Sequence, residues 1–209
     1  MRKSNEVYKL NHEAIFYQQN CPFCKESSLQ LGEKTKYGSV IIYKIGDSAK
    51  NGWFATLSPK TGGDPKQDFT IQLMPQGHLT HFSQMKNYPA LARNYGTAFS
   101  KISEAVARII GEEDNLKATA SSKEEAISIA IYGKCTTWKD KKEHLHIKIF
   151  PFRGLLGQPC TVDSSFERKK IYTDLKSKKK FIRMKPIKKI RLSQARLEKL
   201  ARILISLLA

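Results

Sequence analysis

Two groups of chemically capable side chains stand far apart in this chain: Cys21 and Cys24 in Asn20-Cys21-Pro22-Phe23-Cys24, and His144 and His146 in His144-Leu145-His146-Ile147-Lys148-Ile149-Phe150. Thiolates at a Cys-x-x-Cys spacing can both reach one tetrahedral zinc ion, which then needs two more nitrogen or sulfur ligands from elsewhere. The same pair also reads as a redox couple or as two small core cysteines, although the strand-helix setting of a redox motif is not evident around it. His78 and His81 are further nitrogen donors just past Met74-Pro75, and their three-residue offset does not oblige them to share a face, so one is expected to be ordinary. Cys135 and Cys160 have no cysteine close by in the sequence.

In the second group, polar and apolar residues alternate strictly. On an extended strand this places His144, His146 and Lys148 on one face as neighbours about 7 Å apart, with Leu145, Ile147 and Ile149 on the other. Adjacent imidazoles repel when both are protonated, so the arrangement favours a neutral or metal-bound ring. A neutral imidazole nitrogen is a good nucleophile towards phosphorus. The plain alternative is a solvated strand face.

The elements that must position these groups follow from periodicity. Residues 7–19 fit a short helix loosely, and Cys21 to Cys24 reads as a turn-like knuckle. Ser39–Ile45, Trp53–Leu57 and Phe69–Met74 have strand composition, the first two expected to pair as neighbours, and Thr61-Gly62-Gly63-Asp64-Pro65 is a loop. From Asn87 to Ile110, apolar positions recur at helical spacing, with Gly111 expected to stop the main helix. Ala126–Tyr132 reads as a buried strand, joined by a Lys-rich connection to the histidine strand. No apolar run approaches the roughly 18 residues needed to span a membrane, and the first residues lack a signal region, which predicts a cytoplasmic protein.

Lys and Arg number 37 against 19 Asp and Glu, a formal charge of +18 that favours phosphate-bearing partners. Residues 168–191 hold twelve of the cations with Asp174 as the one acidic residue. That segment is a candidate nucleic-acid surface. Its alternation also suits extra strands, with Ile171, Tyr172, Phe181, Ile182 and Ile190 folding back on the sheet and lysines protecting its edge. Ser193 can cap a final amphipathic helix striped by Leu197, Leu200, Ala201, Leu204, Leu207 and Leu208.

The run from His144 to Pro151 resembles the signature of the histidine triad (HIT) superfamily, with Lys148 in place of the third histidine. Cys21-Pro22-Phe23-Cys24, the strand ending at Pro75, and His78 followed by Phe82 and Met85 agree with it in order and distance, so the resemblance spans residues 15–154. The pattern is similar to the zinc-bearing branch that includes galactose-1-phosphate uridylyltransferase and prokaryotic relatives. The resemblance implies an α+β fold, with a HIT-like antiparallel sheet packed against a main helix over residues 1–157. A basic C-terminal extension, 158–209, would end in the amphipathic helix and pack on the same domain. It also implies zinc held by Cys21, Cys24, His78 and His144, with His146 as nucleophile on the α-phosphorus of a nucleotide. Lys148, helped by Lys141 or Lys142, would steady phosphate charge, and Thr56 stands where many relatives place a ribose-binding Asp or Asn. The implied activity is a nucleotidyl hydrolase or transferase acting on a phosphoanhydride, phosphoramidate or dinucleoside polyphosphate, in a family that often forms homodimers through the main helix. The alternative is a non-catalytic zinc-containing nucleotide- or RNA/DNA-binding protein. Lys148 and the charged run Lys139–Glu143, where relatives carry small residues, are this chain's departures from the pattern.

Overall fold

The computed structural model describes residues 17–113, 127–132, 144–151, 166–173, 180–186 and 188–209. The helix expected before residue 17, Cys135, Cys160, Lys141 and Lys142 lie outside the described residues. The elements run α1 (Pro22–Glu26), β1 (Val40–Ile45), β2 (Trp53–Leu57), β3 (Lys60–Thr61), β4 (Ile71–Pro75), a 3-10 helix (Phe82–Asn87), α2 (Pro89–Glu113), β5 (Ile127–Tyr132), β6 (His146–Pro151), β7 (Phe166–Thr173), β8 (Lys180–Pro186), β9 (Ile190–Arg191) and α3 (Gln194–Leu208). Among the described residues no helix is long and apolar enough to cross a membrane.

Helices and an antiparallel sheet make this an α+β chain. The five strands of the sheet lie in the order β1-β2-β4-β6-β5, every pair antiparallel. Alternation along each strand divides the side chains between two faces. Ala55 and Leu57 of β2, Ile71 and Leu73 of β4, and Ile147 and Ile149 of β6 enter the main core with Leu91, Ala98, Ile102, Val106 and Ile109 of α2. Trp53 ties sheet to helix by donating its indole N–H to the Leu91 carbonyl at 2.9 Å. The opposite face carries a smaller apolar cluster, Ile41, Phe54 and Met74, on which Phe23 and Leu29 pack. His146 and Lys148 belong to this second face by alternation with the core residues Leu145, Ile147 and Ile149.

Three sequence expectations change. Gly111 does not stop α2, which continues through it to Glu113; a single glycine costs a helix only about 1 kcal/mol, and Ile109 and Ile110 are buried at that end. The knuckle closes as a short helix rather than a turn, because Pro22 at its first position has a φ suited to a helix and no N–H to leave unpaired. The basic segment forms strands, but not on the main sheet: β7 pairs with β8, and β9 pairs with β3.

The final helix is a structural part of the domain. Ser193 caps it by accepting from Arg196 N–H, and Leu197, Leu200, Ala201, Leu204 and Leu208 enter the same core as the sheet. Arg196 adds an ion pair to Glu113 at 2.9 Å, fastening the start of α3 to the end of α2. Leu204 is fully buried. Leu204→Ala should therefore lower unfolding free energy by about 2–5 kcal/mol in urea titration, the range for a cavity left in a packed core.

Candidate metal centre and adjoining cleft

Cys21 takes the N-cap position of α1 and Cys24 the third helical position, so one turn brings both sulfurs to the same side. Lys44 of β1 holds that turn in place by donating to the carbonyls of Ser27 at 2.9 Å and Leu29 at 3.0 Å. Across the sheet, Leu145 N–H donates to the Leu79 carbonyl at 2.6 Å and carries the alignment of β4 with β6 past its last sheet pair. This places His78, after β4, beside His144, before β6, with ring centroids 5.2 Å apart.

Cys21, Cys24, His78 and His144 thus cluster in a buried site that could bind a metal ion, their donor atoms within 4.8 Å of one another. The individual separations are Cys21 Sγ to His144 Nδ1 3.4 Å, Cys24 Sγ to His78 Nδ1 3.4 Å and Cys24 Sγ to His144 Nδ1 3.6 Å. A tetrahedron with ordinary zinc–sulfur and zinc–nitrogen bond lengths has a sulfur–nitrogen edge of about 3.6 Å. The three sulfur–nitrogen separations therefore match edges of one tetrahedral site.

Hydrogen bonding fixes which atom His144 can offer. Its Nε2 lies 2.8 Å from the Pro75 carbonyl oxygen, which can only accept, so Nε2 carries the proton and Nδ1 keeps a lone pair towards the sulfurs. His78 has no such anchor: its Nε2 is buried and has no hydrogen-bond partner among the described residues. The two thiols respond to each other. The hydrogen bond to Cys24 holds the Cys21 thiol far below its ordinary value, and the same bond, with burial, drives Cys24 upwards. A buried pair sharing one proton in this way is suited to a cation that replaces it.

His144 and His146 do not play equivalent parts, and the strand begins only at His146. His144 precedes the strand and turns into the metal cluster. His146 is half-buried and lies over the Phe23 ring, centroids 5.9 Å apart. Its Nδ1 is 3.1 Å from the His144 carbonyl oxygen, which again can only accept, so the proton resides on Nδ1 and the lone pair on Nε2. Beside it opens a cleft of 390 Å³ lined by Gln18, Asn20, Pro22, Phe23 and His146, with Cys21 and His144 at its floor. That volume falls within the range of small-molecule sites, about 300–1,000 Å³.

The other expected site residues take varied places. Lys148 is buried on β6 two residues beyond His146, and its register partner on β4 is Gln72. Gln72 in turn pairs with Thr56 on β2, so Thr56 occupies the same cross-strand row as Lys148, two strands away, with its hydroxyl buried and without a hydrogen-bond partner among the described residues. His81 is a cap: its Nδ1 accepts from Ser83 N–H at 3.1 Å at the start of the 3-10 helix. His81→Ala should cost about 1 kcal/mol, as loss of a cap does, and leave metal content unchanged, whereas His78→Ala should lower it. Thermal melts and metal analysis of the two variants separate these roles.

Sequence reasoning passed over Gln18, Asn20 and Phe23 as cleft residues; their adjacency to the knuckle was the available signal. It also missed Glu26, whose carboxyl is buried and raised by that burial, the charge of Lys36 partly offsetting the effect. No protein-family model, no curated protein and no solved structure matches this chain.

Proposed function

We propose that the chain is a nucleotidyl hydrolase or transferase of the histidine triad type, with zinc at Cys21, Cys24, His78 and His144 and with His146 as nucleophile. The observation that carries this reading is the hydrogen bond from His146 Nδ1 to the His144 carbonyl, which leaves the Nε2 lone pair to act on a bound phosphate. In the proposed reaction Nε2 forms a bond to the α-phosphorus while the bond from phosphorus to the leaving group breaks. Pyrophosphate, a second phosphate or an amine departs with the electron pair, and water or an acceptor then cleaves the nucleotidyl-histidine. Lys148, on the same strand face as His146, is the residue assigned to the phosphate oxygens in this reading.

Zinc is favoured over other divalent ions because two thiolates and two imidazoles at tetrahedral spacing are its typical ligand set. The carbonyl of His144 links the two functions: the residue that would hold the ion through its ring also orients the nucleophile through its backbone. Incubation with α-labelled ATP, GTP or diadenosine tetraphosphate should give acid-labile labelling of the protein that His146→Ala removes. Turnover without labelling, or labelling that survives the substitution, would reject His146 as the nucleophile.

A further inference from the structure

Phe23 touches both histidines of the site. Its ring centroid lies 5.6 Å from that of His144, steeply inclined at 65°, and 5.9 Å from that of His146, at 40°. Both separations fall in the range of about 4.5–7 Å at which aromatic rings attract one another in offset or edge-on pairs. The same side chain lines the cleft. Phe23 is the second residue of α1 and stands between the two sulfurs, Cys21 two positions before it and Cys24 directly after, so an ion in that cluster would clamp its backbone. Its carbonyl accepts from Ser27 N–H at 3.0 Å, and its ring packs on Ile41, Phe54 and Met74, all fully buried.

Packing alone does not account for this placement. A side chain that served only the small apolar cluster would be buried with it, whereas Phe23 is half-buried and lines the cleft. The His146 ring has a use for such a neighbour. Histidine χ2 is broad, without the sharp staggered wells of aliphatic torsions. The bond from Nδ1 to the His144 carbonyl lies in the plane of the imidazole and leaves rotation about its own axis open, so it sets the tautomer without setting the plane. A ring packed beside the imidazole restricts that rotation. In-line attack on phosphorus needs the Nε2 lone pair aimed along one direction, and misplacing a reacting group by about 1 Å can cost about 10²-fold in rate.

We propose that Phe23 is the positioning residue of the nucleophile, holding the His146 imidazole in the plane that aims Nε2 at a bound phosphate. The proposal rests on the reading of His146 as nucleophile, and Phe23 acts in it only through His146.

The test compares, in the full zinc-loaded chain, Phe23→Leu, which keeps an apolar side chain on Ile41, Phe54 and Met74, with Phe23→Tyr, which keeps the ring. Metal content and a cooperative thermal transition verify both folds; should the leucine chain fail either, Phe23→Met takes its place. With the best of the candidate nucleotides, Phe23→Leu should lower kcat by about 10²-fold at unchanged KM, and Phe23→Tyr should restore most of that loss. A second readout needs no turnover: the order parameter of the His146 Cε1–H bond, from carbon relaxation, reports the motion of the ring itself. It should fall from the rigid range to below about 0.6 in Phe23→Leu and stay rigid in Phe23→Tyr, while the same bond of His144, pinned at the Pro75 carbonyl, stays rigid in both. If the wild-type protein turns over none of the nucleotides, the hydrolase reading fails, and the order parameters still decide whether Phe23 holds the ring. A His146 ring as rigid in Phe23→Leu as in wild type, or wild-type kcat in that variant, would overturn the proposal.

Discussion

Stripping a metal ion from the Cys21, Cys24, His78 and His144 cluster should unfold the domain. Structural zinc sites contribute about 10–16 kcal/mol of apparent binding free energy. That is comparable to the entire net stability of an ordinary domain, about 5–15 kcal/mol. Here the ligands come from α1, from the segment after β4 and from the segment before β6, so the ion would fasten the knuckle helix to the sheet at its only thiol-bearing corner among the described residues. Excess chelator, or Cys21→Ser combined with Cys24→Ser, is expected to abolish the cooperative thermal transition or lower its midpoint by tens of degrees. Circular dichroism melts paired with metal analysis measure both quantities. A double variant that retains full metal content, or metal-free protein melting within about 2 °C of the untreated sample, would remove the ion from any structural role.

His146→Ala should have the opposite signature, with the fold intact and chemistry lost. His146 is half-buried and outside the ligand cluster, so metal content and thermal midpoint should match wild type. Loss of a nucleophile that acts together with its orienting partner commonly lowers kcat by about 10⁴-fold or more. Lys148→Gln removes the charge proposed to steady the phosphate and should cost about 10²-fold. Steady-state hydrolysis of the best of the three candidate nucleotides gives both ratios. An activity in His146→Ala above a tenth of wild type would place the chemistry elsewhere, and a lower activity in Lys148→Gln than in His146→Ala would reverse the two roles.

The parts of this site that were legible in the sequence are those encoded in short-range spacing. Alternation from His144 to Phe150 exposed which residues of β6 face the core, and the Cys-x-x-Cys spacing exposed the paired sulfurs. The division of labour between His144 and His146 came only from the family resemblance; spacing alone could not show it, because the orientation of each ring depends on a carbonyl acceptor, Pro75 for His144 and His144 itself for His146. Backbone acceptors leave no residue-type signature. Spacing alone did not separate His78 from His81, and it was the resemblance that singled out His78; the local backbone, which turns His81 onto Ser83, makes His81 a cap. The separate β7–β8 ribbon was missed as such because alternation shows that a segment is extended but not which strand it will pair with.

The packing of α3 has a consequence for how the protein is made. Its leucines lie in one core with Val40, Ile42 and Tyr43 of β1, the first strand of the sheet, yet α3 is the last element synthesised of those described. A nascent chain adds residues in order and its domains close as they emerge, so the apolar face of β1 stays without this cover until about 150 more residues have been translated. During that interval the sheet presents the kind of transiently exposed surface that favours aggregation. Synthesis rate and chaperone access would then govern soluble yield more than the stability of the finished protein does, and stalling the ribosome before Leu197 would leave a chain unable to complete its core.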